Sequence, residues 1–178
     1  RLANPTASEQ ELVRMDRLAQ TAVLLSQGVP FLHGGAELLR TKKGVANSYN
    51  APDSINAIDW TRKNTYRDVF DYDKGLIALR KAHASFRMPT AALIREKLRF
   101  IDTGDAGVIG YTIRGVAGDP WKEVLVLLNG ATSGTTVTLP PGTWTVAANG
   151  ETVDQRGLGS KSGSIALGAT TGWVLFRK

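Results

Sequence analysis

The first half of the chain carries apolar residues at helical spacing. Ser8 followed by Glu11 is a capping box, in which each side chain satisfies an amide of the first helical turn. Apolar and small residues then recur at three- and four-residue steps up to Gly28, a residue typical of helix ends. The steps predict one buried stripe, made of Leu12, Met15, Ala19, Ala22, Val23 and Ser26.

A second helix is predicted over residues 72–85. Its buried stripe consists of Tyr72, Leu76, Leu79 and His83, and His83 is therefore interpreted as a packing histidine. Between the helices, an apolar run at residues 29–33 is stopped by two glycines. Such a run without alternation predicts a strand buried on both faces, as in a parallel sheet.

Residues 36–68 follow without a regular pattern, apart from a short helix predicted at 36–40. A stretch this long is usually functional or disordered. The aromatic and isoleucine side chains spread along it favour an ordered loop: Tyr49, Ile55, Ile58, Trp60 and Tyr66.

From residue 96 onward the apolar residues alternate with a period of two. Turn signals such as Asn129-Gly130 and Asn149-Gly150 separate the runs. Short strands at this spacing predict a small antiparallel β-sandwich. The predicted strands are residues 97–102, 108–114, 123–128, 135–139, 143–147, 164–167 and 173–177.

The two halves predict an α/β unit at residues 1–84 and an all-β domain at residues 85–178, since Pro89 forbids continuation of the helix. One parallel strand with two helices cannot bury the faces of either. We therefore expect residues 1–84 to be the last part of a larger α/β domain whose earlier strands are not in this sequence.

Composition narrows the function classes further. The chain has 178 residues, 42% of them hydrophobic and 21% charged, which is typical of a globular protein and leaves no bilayer-spanning stretch. It has no cysteine, so thiol chemistry is excluded, while both a cytoplasmic and a secreted location stay open. The net charge of +6 is spread evenly over both halves, which disfavours a nucleic-acid partner.

The candidate chemistry lies in and before the long loop. Glu37 follows the predicted strand, where barrel enzymes place their sites. The loop combines amides, a carboxylate and aromatic rings, at Asn47, Tyr49, Asn50, Asp53, Asn56 and Trp60. Planar polar groups suit sugar hydroxyls, and ring faces suit sugar C–H groups. The alternative is an ordered loop packed by its own aromatic residues. No metal site or cofactor is predicted.

Residues 26–44 (SQGVPFLHGGAELLRTKKG) resemble the eighth strand and following loop of type I pullulanases, and residues 47–60 resemble the family's next segment. The resemblance implies a hydrolase of the α-amylase superfamily, which cleaves α-1,6 branch linkages in pullulan or amylopectin by a retaining two-carboxylate mechanism. It also implies a (β/α)8 barrel followed by an antiparallel β domain. Residues 1–84 would then be the last helix–strand–loop–helix of the barrel.

The same resemblance implies roles for the loop residues. The family's three catalytic carboxylates sit on earlier strands, so no catalytic residue is assigned here and the chain alone is expected to be inactive. Asn47 matches a position that contacts a glucose on the non-reducing side of the cut, with Tyr49, Asn50 and Asp53 as its neighbours. Glu37 and Arg40 are expected to hold the loop to the barrel rim.

Two alternatives stay open. One is an isoamylase-like glycogen debranching enzyme. The other is a non-catalytic carbohydrate-binding module, in which the β half presents Trp121 or Trp144 to a glucan; against it, Trp144 and Trp173 lie in alternating strands and are expected in the core. The expected partners are an α-glucan and the earlier part of the barrel, with neither nucleic acid nor membrane.

Overall fold

The computed structural model describes residues 4–178, in which helices precede an antiparallel β-sheet. The capping box forms as predicted, with Glu11 N donating to Ser8 Oγ at 3.3 Å and Ser8 N donating to Glu11 Oε2 at 2.8 Å. Single 3-10 turns lie at Ala36–Leu38 and Ala84–Phe86. The α-helices are α1 (Glu9–Leu25), α2 (Asp53–Asn56), α3 (Arg62–Thr65), α4 (Arg67–Ala82) and α5 (Ala91–Lys97).

The strand predicted at residues 29–33 is not formed in this structure. The segment has no regular secondary structure, and Val29 and Phe31 are 95% and 87% exposed. A parallel strand is held by hydrogen bonds to neighbours on both sides, and the structure pairs no strand of residues 4–178 with this segment. The predicted helix end also differs, because α1 stops at Leu25 and Gly28 lies beyond it with a φ of +92°.

The buried face of α1 is not the predicted stripe. Arg17, Gln20, Thr21, Leu24 and Leu25 are buried, whereas Val23 of the predicted stripe is exposed. The reason is that neighbouring elements, rather than hydrophobicity alone, select the face.

Two contacts fix that choice. The Thr21 hydroxyl lies 2.8 Å from the hydroxyl of Tyr72 on α4. A side chain at Gly172 would come within 2.8 Å of Thr21, so glycine there allows α1 to approach the sheet closely. On α4 itself the predicted stripe is correct, and Tyr72, Leu76, Leu79 and His83 are all buried.

The β half contains all seven predicted strands with small shifts at their ends. The strands are β1 (Leu98–Ile101), β2 (Val108–Arg114), β3 (Glu123–Asn129), β4 (Thr135–Thr138), β5 (Trp144–Ala148), β6 (Ser160–Lys161), β7 (Ser164–Leu167) and β8 (Thr171–Arg177). Six strands form one sheet in the order β1-β2-β3-β8-β5-β6, and β4 pairs with β7 in a separate ribbon. Every pair of neighbouring strands in the described residues is antiparallel.

The predicted sandwich is only partly formed. The β4–β7 ribbon covers one face of the large sheet, over a core that includes Leu125, Trp144 and Leu175. Helices α1 and α4 cover the other face, over a core in which Leu76 packs with Val124 and other sheet residues. The helices therefore supply the layer that a second full sheet would supply in a sandwich. No helix in the described residues is long and apolar enough to cross a membrane.

Candidate functional site

The long loop opens with a turn that Arg40 closes. Gly35 adopts a φ of +92°, and its carbonyl accepts a hydrogen bond from Arg40 N at 2.9 Å. The Arg40 guanidinium donates to the carbonyl oxygen of Gly34 at 3.2 Å and to that of Asn56. A side chain at Gly35 would come within 2.9 Å of Arg40, so glycine is required by both the backbone and the space.

Asn56 organises the rest of the loop. Its Nδ2 donates to the carbonyl oxygens of Ser48 and Ala51, each at 2.7 Å, and its Oδ1 accepts from Lys42 Nζ. One amide side chain therefore joins three points of the loop, which holds residues 48–51 in place. From the sequence Asn56 was predicted only as one of the loop's amides, and its role as an anchor could not be predicted because its bonds go to backbone carbonyls.

Arg62 anchors the loop from its far end. Its Nε and Nη2 donate to the carbonyl oxygens of Leu38 and Leu39 at 3.1 and 2.7 Å. These carbonyls end the 3-10 turn and need donors from elsewhere. Leu39 has a φ of +51°, so the Arg62 contact also stabilises a backbone conformation that L-residues rarely adopt.

The four predicted sugar-binding residues lie on the exposed side of this loop. Tyr49 is 87% exposed, and its backbone amide donates to Asn47 Oδ1 at 3.4 Å. Asn50 is exposed, and Asp53 begins α2. The arrangement presents amide, carboxylate and phenol groups to solvent, so it is suited to binding a polar ligand. The role of the four residues stays a prediction.

A groove of about 1160 Å³ lies beside the loop, against the N-terminal half of α1. His33, Lys42 and Asp16 line it, and Arg40 is the one predicted site residue among its lining residues. Asn47, Tyr49, Asn50 and Asp53 lie outside that lining, and Glu37 is half-buried without lining it.

Two acidic side chains, Asp16 of the groove lining and its neighbour Asp73, have raised pKa values. Burial, followed by the charges of Asp16 and Glu37, raises the pKa of Asp73 to about 7. Burial also raises the pKa of Asp16 to about 6. Asp73 is 4% exposed, and its Oδ1 has no hydrogen-bond partner within residues 4–178. Asp73 is an aspartate near the start of the second predicted helix, and nothing in the local sequence indicates that it is buried.

Replacing Asp73 with asparagine is expected to stabilise the chain in a pH-dependent way. The folded state holds the Asp73 proton more tightly than the unfolded chain, whose pKa is near 3.8. The stabilising effect of protonation is complete below about pH 4, falls between about pH 4 and 7, and is lost above that range. Asp73→Asn should raise the free energy of unfolding by about 2 kcal/mol at pH 8, measured by urea denaturation.

The matched control is Asp71→Asn, an exposed aspartate of the same helix that pairs with Arg67. Asp71→Asn should change the free energy of unfolding little, both at pH 4 and at pH 8. An equal gain for Asp73→Asn at pH 4 and pH 8 would contradict the assignment, because at pH 4 the aspartic acid is already protonated in the folded state.

Two tryptophans proposed for glucan binding are buried instead. Trp121 is stacked between His83, at 3.5 Å, and Phe176, at 4.0 Å, and Trp144 is fully buried. Neither ring can present a face to a polysaccharide, so that form of the binding-module alternative is wrong. Trp144 begins β5, whose alternate residues face the core, and Trp121 lies just before β3.

Comparison with known proteins agrees with this architecture. Residues 94–152 match the sequence model of a family described as "Pullulanase, all-beta domain". A pullulanase of Bacillus subtilis is 41% identical over 126 residues, which are 70% of this chain and 17% of that protein. The solved pullulanase from Bacillus acidopullulyticus superposes with a TM-score of 0.94 at 39% identity, over 98% of this chain and 22% of that one.

A third relative was solved with a ligand. The pullulanase from Anoxybacillus sp. LM18-11 complexed with maltotriose is 37% identical, with a TM-score of 0.89 over 99% of this chain and 24% of that one. The chain is therefore homologous to part of the pullulanases. More particularly, it is homologous to the C-terminal, all-β-containing region of the type I pullulanases. It spans about a fifth of the length of these relatives.

Proposed function

We propose that the chain forms the C-terminal part of a debranching enzyme that hydrolyses α-1,6-glucosidic linkages in pullulan or amylopectin-type α-glucans. Homology to pullulanases over nearly the whole chain supports this proposal. The mechanism would be retaining, in which one carboxylate attacks the anomeric carbon and a second protonates the leaving oxygen. Both carboxylates would come from earlier strands, and this chain would supply the substrate loop and the β domain.

The observation that carries the proposal is the exposed segment at residues 29–33. Val29 and Phe31 are almost fully exposed although they lie between two packed helices. Burial of such a side chain is worth about 1.5–3 kcal/mol, so its exposure is unfavourable. We infer that the segment becomes the eighth strand of a (β/α)8 barrel, paired with strands from the earlier part of the enzyme, and that residues 1–84 and 85–178 mark the two domains.

The position of the loop supports its role in substrate binding. In barrel enzymes the loops after the C-terminal ends of the strands form the active site, and the loop at residues 36–56 follows the 29–33 segment in this way. We propose that Asn47, with Tyr49, Asn50 and Asp53, contacts a maltooligosaccharide of the kind bound by the solved relative. Arg40 would hold the loop to the barrel rim, and Glu37 would assist it.

The test is made on the enzyme that carries this region, with pullulan as substrate. Asn47→Ala should raise KM about tenfold, because a ligand hydrogen bond in a preformed site is lost. Asn64→Ala, an exposed asparagine of α3, is the matched control and should leave KM unchanged. The 178-residue chain alone should release no maltotriose from pullulan. Release of maltotriose by the pure chain would refute the proposal that the catalytic carboxylates lie in the earlier part of the enzyme.

The preferred substrate distinguishes a pullulanase-type enzyme from an isoamylase-like one. A pullulanase-type parent should hydrolyse pullulan faster than glycogen, and an isoamylase-like parent should show the reverse order. The active-site cleft sets this preference by how it accommodates the glucan on each side of the branch. The preference is measured as the ratio of the kcat/KM values for the two substrates.

A further inference from the structure

The turn at residues 48–51 presents two of the predicted sugar-binding residues. Ala51 N donates to the carbonyl oxygen of Ser48 at 3.1 Å, which closes the turn with Tyr49 and Asn50 at its tip. Both tip residues are exposed, and neither belongs to a helix or a strand. The shape of the turn therefore depends on the groups that bond to its two ends.

The Asn56 side chain bonds to both ends of this turn. Its Nδ2 donates to the carbonyl oxygens of Ser48 and Ala51, each at 2.7 Å, and its Oδ1 accepts from Lys42 Nζ. A lysine ammonium can only donate, so the Lys42 contact fixes which end of the amide carries the oxygen. The NH2 group is thereby turned toward the two carbonyls. An aspartate of the same shape could accept from Lys42 but could not donate to either carbonyl.

We propose that Asn56 is a positioning residue for the glucan, which holds the 48–51 turn in its sugar-binding shape without touching the sugar itself. This inference rests on the proposed function of the loop. Both N–H groups of the Asn56 amide are used within the protein, so the side chain has no donor left for a sugar hydroxyl. Asn56 can therefore act on the ligand only through the residues that it holds.

The backbone of Asn56 is itself anchored, so its side chain acts from a fixed point. Its amide donates to the carbonyl oxygen of Pro52 at 3.0 Å where α2 ends, and its carbonyl oxygen accepts from the Arg40 guanidinium. Without the two Nδ2 bonds, the 48–51 turn would adopt its binding shape in only a fraction of the molecules. The apparent affinity for a ligand falls in proportion to that fraction. The catalytic groups, proposed to lie on earlier strands, would be unaffected, so the loss should appear in KM rather than in kcat.

The test compares Asn56→Asp with Asn129→Asp in the enzyme that carries this region, with pullulan as substrate. Asn56→Asp keeps the acceptor for Lys42 and loses both donors, so it should raise KM about three- to tenfold and leave kcat within about twofold of the parent value. Asn129 is the matched control, because its Nδ2 also donates to two backbone carbonyls, those of Ser133 and Gly168 in the β domain, at 3.0 and 2.8 Å. Asn129→Asp should lower the melting temperature and leave KM unchanged.

A milder variant keeps the test decisive if Asn56→Asp does not fold. Lys42→Met leaves both Nδ2 bonds in place and removes only the contact that orients the amide, so it should raise KM about twofold. Thermal unfolding of each variant shows whether it is folded. An unchanged KM in folded Lys42→Met, together with an unfolded Asn56→Asp, would assign Asn56 to stability alone and overturn the positioning role.

The outcomes separate this inference from the proposed function. If Asn47→Ala raises KM and folded Asn56→Asp does not, the positioning role is overturned and the proposed function stands. If neither variant changes KM, the loop does not bind the glucan and both proposals are overturned. A fall in kcat alone, or an equal rise in KM for Asn56→Asp and Asn129→Asp, would also overturn the positioning role.

Discussion

Truncating Trp144 to alanine is expected to lower the free energy of unfolding by about 4 kcal/mol. The side chain is fully buried in the core between the sheet and the β4–β7 ribbon. Its Nε1 donates to the carbonyl oxygen of Pro140 at 2.9 Å, and the Arg177 guanidinium lies 3.8 Å from its ring. The substitution would leave a large cavity and would displace the arginine, and the Pro140 carbonyl would keep only its hydrogen bond from Arg177 Nη2. Urea denaturation with an unchanged m-value would measure the loss.

Two further variants give this prediction its controls. Trp144→Phe keeps an aromatic ring beneath Arg177 and loses the indole N–H, so it should cost about 1–2 kcal/mol. Trp60→Ala removes an indole of which about two thirds is exposed and should cost less than about 1 kcal/mol. If Trp60→Ala and Trp144→Ala had equal effects, the β4–β7 ribbon would not be part of the cooperative core.

The strands of the β half could be predicted because their signals are local. Each strand has its own alternation and its own turn residues, so β2, for example, occupies the predicted residues 108–114. Two short elements were missed. β6 has only two residues, and α5 follows Pro89 as a single capped segment in which Leu93 N donates to Thr90 Oγ1. The Thr90 cap was a usable signal for α5.

The helical half was predicted less well because its details depend on partners distant in sequence. α1 has polar residues such as Arg17, Gln20 and Thr21 on its buried face, since these meet Asp68, Tyr72 and the sheet. No hydrophobic pattern within α1 contains that information. The 29–33 segment fails as a strand for the same reason, because a strand buried on both faces needs neighbours on both sides.

In the candidate site, too, local features could be predicted from the sequence, whereas contacts between distant residues could not. The identity of the loop residues indicated a sugar-like chemistry, and the structure places Asn47 and Tyr49 on the exposed side of the loop. The anchoring bonds of Asn56 and Arg62 go to backbone carbonyls, so they depend on the path of the chain rather than on side-chain pairing. The raised pKa of Asp73 likewise follows from burial, which the sequence around residues 71–73 does not reveal.

Replacing Asp119 with alanine is expected to cost about 3 kcal/mol of stability at pH 7. The carboxylate is fully buried and joins the end of the helical half to the turn between β2 and β3. Its Oδ1 accepts from His83 Nδ1 at 2.8 Å and from Trp121 N at 2.9 Å, and its Oδ2 accepts from Ser85 N at 2.8 Å. Removing it leaves these donors buried without an acceptor, at about 1–3 kcal/mol each before relaxation.

The loss should depend on pH in a defined direction. Burial opposes ionisation of Asp119, but the hydrogen bonds from His83, Ser85 and Trp121 outweigh it and hold the pKa below the ordinary value of 3.8. A lowered pKa stabilises the folded state above the unfolded pKa, and this stabilisation is lost as the pH falls through the folded value. The difference in unfolding free energy between the parent chain and Asp119→Ala should therefore shrink below about pH 4.

Asp102→Ala is the matched control, since Asp102 is an exposed turn aspartate that accepts one bond, from Gly104 N at 2.9 Å. It should change stability by less than about 1 kcal/mol at any pH. Equal losses for the two variants would mean that the His83–Asp119 contact does not join the helices to the sheet. A loss for Asp119→Ala that is larger by about 2 kcal/mol would identify the contact as the link through which the two halves unfold together.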